Sequence, residues 1–530
     1  MVFAMPMYKK WVPKAIRPWV YVLMAVCFQL SNGVYLGSLS EIRGATGFMS
    51  EDVLMCMYAN LAGMAIWFPM LVRMKFRFTN KQLLCTAAVT MGVCNLLTMN
   101  CPTIGLPLLM LICFISGIAK IQVTFECMSN IQLWITPTRD GSRFFPVLHI
   151  ILLSAIEGGG FIAAWFSYHY VWEMMHIMTV GNMCFVLLVQ LFCCRPFCPM
   201  PQRMPLKGID FTSGLLVSAL MLTVSYIFVY GDHNQWMDSL STRIALGTSV
   251  FLLGLVLYRM NHVNNPYISF DLIRKRNVIP ILIITAVADL LLGCENTVGG
   301  ILYGGVARLE ELTKEQQLLW ALPGIYVGIG LTIYWLNLKR WKVWKLIAIG
   351  FGCLCLYAFM MYMTIDVNAN IEKYRLALSL RGCAYGILTP ALMWSLDESI
   401  HNFERFFMSL FVYNIFHMYL AGAAGSALYT FLYTHFLNDN IMRYGCQLTL
   451  TGLDMSSFHM GDFMDSYFIR SMLAVTVKQI YGIVIWAAGA MSALFFLLDI
   501  PAVRTNVRHL PLWPVYGIEL LSRIRPLKTK

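Results

Sequence analysis

About fourteen long apolar segments run through this chain, and they leave only short stretches between them. A bilayer core of about 30 Å is crossed by roughly 20 apolar helical residues. Lipid offers the backbone no hydrogen-bond partner, so each crossing segment should be a helix. The pattern predicts an all-α polytopic membrane protein with spans at residues 18–39, 53–72, 82–100, 105–128, 144–167, 171–194, 211–231, 243–261, 278–303, 316–338, 342–364, 374–398, 405–434 and 478–499.

Lysine and arginine fall in every second gap between these segments, and the bias exceeds fourfold. Cytoplasmic loops of membrane proteins carry such an excess. The rich set includes Lys9, Lys14, Arg73, Lys75, Arg77, Lys81, Arg195, Arg259, Lys339, Arg340 and Lys345, whereas the poor set holds Arg43, Arg308, Lys314, Lys373, Arg443 and Arg470. We therefore expect a multi-pass protein of the inner (cytoplasmic) membrane with both termini in the cytoplasm.

The composition excludes a soluble enzyme, because only 12% of residues are charged and 58% are hydrophobic, whereas soluble domains carry about 25% charge. The net charge of +12 resides in short loops beside span ends. That placement indicates topology and contact with anionic lipid, with no nucleic-acid partner. Sixteen cysteines lie mostly inside apolar spans without metal-ligand spacing, and no Walker sequence occurs. We expect no cofactor and no metal.

Two basic, aromatic turns suggest an internal repeat. PMLVRMKFRFTNKQLL from Pro69 joins the second and third spans, and YWLNLKRWKVWKLIA from Tyr334 joins the tenth and eleventh. We predict a first six-helix half at 1–200, two inserted helices with a linker at 201–277 and a second half at 278–500. The second half would contain a long outer loop at 435–477, and a basic cytoplasmic tail would follow at 501–530.

Four stretches carry a family resemblance. GGGFIAAWFSYHYVWEMMHI begins at Gly158, and GIDFTSGLL at Gly208 is followed by GDHNQWMDS. NNPYISFDLIRKRNV begins at Asn264, and LRGCAYGILTP begins at Leu380. In these stretches the chain resembles the fourteen-span drug/proton antiporter branch of the major facilitator superfamily.

The resemblance implies a major facilitator fold of 6 + 2 + 6 helices and proton-coupled multidrug efflux. It implies gating by the first basic turn (Arg73 and Arg77) and by Gly159 and Gly160. For some members it implies a periplasmic adaptor and an outer-membrane channel as partners. The sequence departs from the family where Pro69 and Arg73 replace Gly and Asp, so the usual gating salt bridge does not carry over.

The family's cation in the fourth span is replaced by Cys113, and its acid in the first span is replaced near Asn32. Lys120 lies two helical turns past Cys113 on the same face, so we expect Lys120 to take over the cation's role one level deeper in the membrane, with Asn32 as a further charge-tuning residue. The alternative is a lysine that extends toward the cytoplasmic surface. Glu126, further along the same span, is either a charge-tuning residue or an interfacial acid.

Charges deep in lipid are usually functional. Glu157 precedes a glycine run in the fifth span, and Asp289 and Glu295 lie six residues apart in the ninth. We predict that these three acids bind protons and that Arg381 of the twelfth span tunes them. The alternatives are a structural Glu157 that is hydrogen-bonded or paired with Lys120, acids that belong to an outer vestibule, and a structural salt bridge at Arg381.

The sequence thus predicts a proton-coupled secondary transporter that exports amphipathic or lipophilic compounds by alternating access. Substrate and proton would compete for a shared carboxylate, on Asp289 or Glu157. A proton-coupled importer of a small metabolite is the nearest alternative. A membrane-embedded lipid or glycan enzyme would need His, Asp or Ser clustered at one depth, and the sequence shows no such cluster. An assembly partner that does not transport is the third alternative.

Overall fold

The computed structural model describes residues 5–136, 141–198, 210–263, 267, 278–368, 370–400, 403–450 and 461–497. Outside these ranges lie the predicted tail at 501–530 and most of the third family-like stretch. Within them the regular structure is helical, apart from a single β-bridge between Tyr8 and Cys194.

The chain begins with a group of helices that pack mainly on one another, and we call it the first bundle. It comprises α1 (Arg17–Gln29), α2 (Leu39–Thr46), α3 (Ser50–Trp67), α4 (Leu71–Arg77), α5 (Asn80–Met99), α6 (Cys101–Ile104), α7 (Leu106–Ile135), α8 (Gly141–His169) and α9 (Glu173–Phe192). Two further helices, α10 (Phe211–Val229) and α11 (Leu240–His262), follow it. They pack on each other, and α10 also contacts α3.

The second bundle starts after the next undescribed segment. It comprises α12 (Val278–Leu292), α13 (Glu311–Leu318), α14 (Ala321–Ile333), α15 (Val343–Thr364), α16 (Tyr374–Ser399), α17 (Phe403–Asn414), α18 (Gly425–Leu450) and α19 (Gly461–Leu497). Four segments of π-helix interrupt it, at Glu295–Gly299, Leu302–Val306, Tyr334–Lys339 and Ile415–Ala424.

Thirteen helices of the described residues are long and apolar enough to cross a membrane, and each overlaps one predicted span from the second onward. The predicted first span differs, because its helix α1 ends at Gln29. Ser31, Asn32 and Gly33 follow, and all three are poor helix formers. Gly33 also packs so closely on α7 that a Cβ atom would lie 2.6 Å from Sγ of Cys113. The chain becomes regular again at the 3-10 turn Leu36–Ser38.

The predicted outer loop at 435–477 is largely helical, which corrects the sequence interpretation. Residues up to 450 continue α18, and residues from 461 onward belong to α19, while 451–460 lie outside the described residues. Among the polar residues that suggested a loop, Asn438, Asp439 and Asn440 lie on α18, and Asp462 and Asp465 lie on α19. Buried Asn440 of α18 donates hydrogen bonds to Thr476 Oγ1 (2.9 Å) and Gln479 Oε1 (3.1 Å) of α19.

Glycines set the closest helix contacts in both bundles. In the first, a Cβ atom on Gly63 of α3 or Gly117 of α7 would collide with the backbone of the other helix. In the second, the same holds for Gly324 of α14 and Gly382 of α16. Small residues allow such backbone approach in membranes. The second and fourth spans are thus packed in the same way as the tenth and twelfth, as an internal repeat would require.

One end of the molecule carries the basic turns, and we call it the basic end. The π-helical turn Tyr334–Lys339 lies beside the start of α8, where Asn337 donates a hydrogen bond to Ser142 Oγ (3.4 Å). Helix α4 lies beside the last part of α7, where Lys75 contacts Glu126. Since α7 ends and α8 begins at neighbouring residues, the two basic turns occupy the same end.

Candidate functional site

An ion pair joins the two bundles near the middle of α8. Arg381 Nη1 of α16 lies 3.5 Å from Glu157 Oε1 of α8. Both side chains are buried, with 7% and 9% of their surface exposed. The structure thus brings two predicted site residues together, and the alternative that Glu157 pairs with Lys120 is wrong. We call this contact the inter-bundle ion pair.

Asp289 has a partner that sequence reasoning missed. His417 Nδ1 lies 2.6 Å from Asp289 Oδ2, and the Asp289 side chain is 10% exposed. His417 is an ionisable side chain inside the apolar run IFHMYLAGAAG, and that placement was itself a signal in the sequence. Tyr385 of α16 lies within electrostatic range of Asp289, Glu157 and Arg381. Both pairs therefore lie in the neighbourhood of Tyr385.

Glu295 lies in a buried cluster of tyrosines, which we call the tyrosine cage. Its Oε1 accepts a hydrogen bond from Tyr303 (2.9 Å), and its Oε2 accepts hydrogen bonds from Tyr481 (2.8 Å) and Tyr357. Glu295 is only 3% exposed. The alternative that Glu295 is an outer-vestibule charge is therefore wrong.

Two of these polar residues lie where the helices change pitch. Glu295 begins the π-helix Glu295–Gly299, and His417 lies within the π-helix Ile415–Ala424. A π-helix inserts an extra residue into the turn and redirects side chains, and it is frequent at functional sites. Glycine is required in the first of these turns, because a Cβ atom on Gly299 would lie 2.7 Å from the carboxyl group of Glu295.

Lys120 is buried, at 6% exposed, and lies against the break in the first span. Its ammonium donates hydrogen bonds to the Gln29 carbonyl (3.0 Å) and to Asn32 Oδ1 (2.5 Å). Gln29 is the last residue of α1, where the helix dipole places partial negative charge. Two predicted charge-tuning residues, Lys120 and Asn32, are therefore in direct contact, and the alternative that Lys120 extends to the surface is wrong.

Glu126 and the first basic turn form a separate pair nearer the basic end. Lys75 Nζ lies 3.2 Å from Glu126 Oε2, and Lys75 also donates to Ser129 Oγ. The turn therefore contributes Lys75, which lies between the predicted gating residues Arg73 and Arg77, to this ion pair. Since Glu126 is 3% exposed, it is not an interfacial acid.

The predicted glycines contact both bundles away from the basic end. A Cβ atom on Gly160 would collide with Oε2 of Glu315 in α13, and one on Gly37 would collide with the Gly160 carbonyl. On Gly159 it would make only an ordinary contact, 3.9 Å from Leu30 Cδ2. Gly160 is thus the point where α8, α13 and the turn Leu36–Ser38 meet.

A cavity of about 140 Å³ lies between the bundles on the basic-end side of Glu157. Helices α7 and α8 line it from the first bundle, and α16 and α17 from the second. Its described lining is apolar apart from Thr124, Ser129 and Gln132, and it includes Phe68, Phe125, Phe144, Phe145 and Phe407. Leu152, which also lines it, precedes Glu157 by five residues, about 7.5 Å along a helix.

The described residues thus combine an apolar chamber with ionisable pairs that could exchange protons. Within them, no three His, Cys, Asp or Glu side chains come together as metal ligands. What the arrangement can do chemically is bind an uncharged or weakly polar compound between the bundles, on the basic-end side of Glu157.

No family model and no curated protein matches the sequence. Solved structures do match over almost the whole chain. The nucleoside transporter NupG gives a TM-score of 0.53 at 11% identity and covers 89% of this chain and 98% of its own. PepTSo2 gives a TM-score of 0.55 at 12% identity and covers 92% of this chain and 99% of its own. A bacterial homologue of the human lysosomal transporter Spinster gives a TM-score of 0.52 at 10% identity and covers 93% of this chain and 96% of its own.

These similar structures are transporters, and identities near one residue in ten relate the chain to them by fold alone. Of the three, NupG is named by its substrate class, nucleosides, and a shared fold does not carry a substrate from one chain to another. All-helical regular structure in the described residues, thirteen candidate spans and these neighbours together show that the chain is a multi-pass membrane protein with the major facilitator fold.

Proposed function

We propose that this protein is a proton-coupled secondary transporter that exports lipophilic or amphipathic compounds across the inner membrane. The observation that carries the proposal is the apolar cavity between the bundles, whose lining residue Leu152 precedes Glu157 of the inter-bundle ion pair by five residues on α8. A transporter of this fold must open a central site to each side in turn. Contacts that join the bundles on one side of the cavity must therefore be broken in each cycle.

Three contacts of this kind lie on the side of the cavity opposite the basic end. They are the inter-bundle ion pair, the contact of Glu315 with Gly160, and the hydrogen bond of 3.0 Å between Ser154 Oγ and Tyr326 Oη. A proton on Glu157 would remove one charge of the ion pair and weaken the closure of that side. Proton binding and bundle separation would then be coupled through a single carboxylate.

The cavity lining supports a substrate without net charge. Its described side chains are uncharged, and five of them are phenylalanines. A formal charge on the substrate would lose its hydration there without gaining a partner. Aromatic rings instead offer large contact area to a flat apolar compound.

Asp289 and His417 form the second candidate proton site of this proposal. Asp289 is buried in the second bundle, and its neighbour Tyr385 also lies near Glu157. A proton on Asp289 would weaken its contact with His417, which lies on the π-helix Ile415–Ala424 next to α17. Helix α17 supplies the cavity residues Phe407 and Leu410. Protonation of Asp289 would therefore change the shape of the cavity through a movement of α17.

The test is transport by purified protein in liposomes with an imposed pH gradient. Fluorescent neutral aromatic compounds serve as substrates, with and without a proton uncoupler. We expect Asp289→Asn and Glu157→Gln to abolish transport driven by the gradient, while thermal unfolding shows that both variants fold. Asp238→Asn is the matched control, since Asp238 is exposed in the turn after α10. Transport by Asp289→Asn at the unaltered rate would remove Asp289 from the mechanism.

A proton-coupled importer of a small metabolite is the second candidate, because one similar structure is a nucleoside transporter. The same liposomes separate the two directions. Export predicts that substrate moves against the imposed proton flow, whereas import predicts that the two move together. The cytoplasmic location of both termini and the binding of an adaptor or outer-membrane channel remain predictions.

A further inference from the structure

The single cation of the inter-bundle ion pair, Arg381, has two acids near it. Arg381 faces two buried acids, Glu157 from the first bundle and Glu295 from the second, and both lie within its electrostatic range. Glu157 faces Arg381 from α16, Glu315 from α13 and Glu295 from the π-helix after α12. A transport cycle that neutralises Glu157 must leave the remaining charges in a state that the low-dielectric interior can hold.

We propose that Glu295 is a permanent counter-charge for Arg381, held ionised by the tyrosine cage, which allows Glu157 to accept a proton and release the inter-bundle ion pair. The inference rests on the proposed function and assigns Glu295 a positioning role. The sequence had predicted that Glu295 itself exchanges protons. In the proposal the proton goes to Glu157, and Glu295 serves as the counter-charge of Arg381.

The tyrosine cage accounts for the permanent charge. Three hydroxyl groups donate to the Glu295 carboxylate, one to Oε1 and two to Oε2. An ionised carboxylate accepts about four hydrogen bonds, and donors aimed at it favour its charged form. The donors Tyr303, Tyr357 and Tyr481 come from three different helical segments of the same bundle. Their geometry therefore does not depend on how the two bundles are arranged.

Arg381 is held on the same side. Its Nε donates to the carbonyl of Leu292, at 3.5 Å, and Leu292 ends α12 three residues before Glu295. When the bundles separate, Arg381 would remain beside Glu295, and only Glu157 would move away with α8. The guanidinium thus keeps a counter-charge in its own bundle. Without one, protonation of Glu157 would leave a buried cation unpaired, and the ion pair would resist opening.

The experiment measures the opening itself, so that it needs no substrate. Spin labels on noncanonical residues replace Tyr168 of α8 and Leu376 of α16, both about 60% exposed and outside the charge cluster. Their separation is followed by pulsed electron resonance between pH 4 and 9. We expect the distance to lengthen as the pH falls. In Glu295→Gln the midpoint should move to lower pH by about one unit, because Glu157 becomes the sole partner of Arg381.

Matched variants distinguish the proposed counter-charge role of Glu295 from a purely structural role. Glu372→Gln removes an acid from the same end of α16 that is 64% exposed and paired with Arg375, and it should not move the midpoint. Glu157→Gln should remove the pH dependence altogether. Tyr481→Phe deletes one donor while keeping the ring, and its midpoint should move in the same direction as that of Glu295→Gln, by less.

Two results would overturn the assignment. In the first, Glu295→Gln lowers the unfolding temperature while the midpoint of opening is unchanged, which is the behaviour of a purely structural acid. In the second, Glu295→Gln fails to fold and Tyr481→Phe leaves the midpoint unchanged. The proposed function can fail separately. Liposomes that show no proton-driven transport, together with a pH-dependent opening that Glu295→Gln shifts, would reject the function and retain the role of Glu295.

Discussion

Gly324 and Gly330 lie six residues apart on α14, and alanine at the two positions should have opposite effects. A Cβ atom on Gly324 would collide with the backbone carbonyl of Ser379 in α16, whereas one on Gly330 would meet nothing within 4 Å. Both substitutions gain about 1 kcal/mol of helix propensity. Gly324→Ala also overpacks a rigid backbone contact, which costs about 1–3 kcal/mol. The difference between the variants therefore isolates the packing term.

The packing change should reach the functional site. Arg381 lies two residues after Ser379 on α16, and its contact with Glu157 is already long, at 3.5 Å. If α16 moves away from α14 in Gly324→Ala, the inter-bundle ion pair changes length with it. We expect Gly324→Ala to lower the unfolding temperature and to alter the pH dependence of transport, whereas Gly330→Ala should retain or raise the unfolding temperature.

The assay is thermal unfolding in detergent, followed by tryptophan fluorescence, with transport in liposomes on the same preparations. The reasoning requires an unfolding temperature several degrees lower for Gly324→Ala than for Gly330→Ala. Equal temperatures for the two variants would show that the glycine contact between α14 and α16 does not contribute to stability. The explanation offered for the close packing of the spans would then be wrong.

Three further predictions follow from single contacts. Phe407→Ala should raise the half-saturating concentration of a neutral aromatic substrate roughly tenfold, as fluorescence titration would show. The pH midpoint of opening, measured with the same spin labels, should be unchanged. Lys120→Met leaves Gln29 and Asn32 without their donor and should destabilise by about 1–3 kcal/mol, whereas the exposed Lys345→Met should cost little, as thermal unfolding would show. Asp210 caps α10: burial opposes its charge, but hydrogen bonds from Ser213 and Arg259 lower its pKa. The contribution of Asp210 to stability is therefore present above the unfolded pKa of about 3.9 and lost as the pH falls through the folded value. In Asp210→Asn the unfolding temperature should therefore depend less on pH below pH 4.

The buried charges show what residue patterns can and cannot predict. A charge inside an apolar run is costly, so Lys120, Glu157, Asp289, Glu295 and Arg381 could be selected from the sequence as functional candidates. Their partners could not, because the residues that pair are far apart along the chain. Glu157 and Arg381 are separated by 224 positions, and Glu295 and Tyr481 by 186.

Errors arose where the sequence interpretation used local polarity in place of contact. The segment at 435–477 was predicted to be a loop because it is polar, yet its polar residue Asn440 is satisfied by Thr476 and Gln479 of the neighbouring helix. The first span was predicted to be continuous because it is apolar. Its helix ends at Gln29, and Lys120 of α7 donates a hydrogen bond to the Gln29 carbonyl that no further helical turn satisfies.

The sequence by itself determined that the chain crosses a membrane as helices, because a long apolar segment in lipid has no other way to satisfy its backbone. It also determined which few side chains would be costly to bury. Only the tertiary structure decided which of them share a counter-charge, since ion pairs and the tyrosine cage depend on distances of a few ångströms between separate helices. The apolar pattern of one helix determines that it can lie in lipid. The pattern contains no information about which other helix packs against it, or on which face.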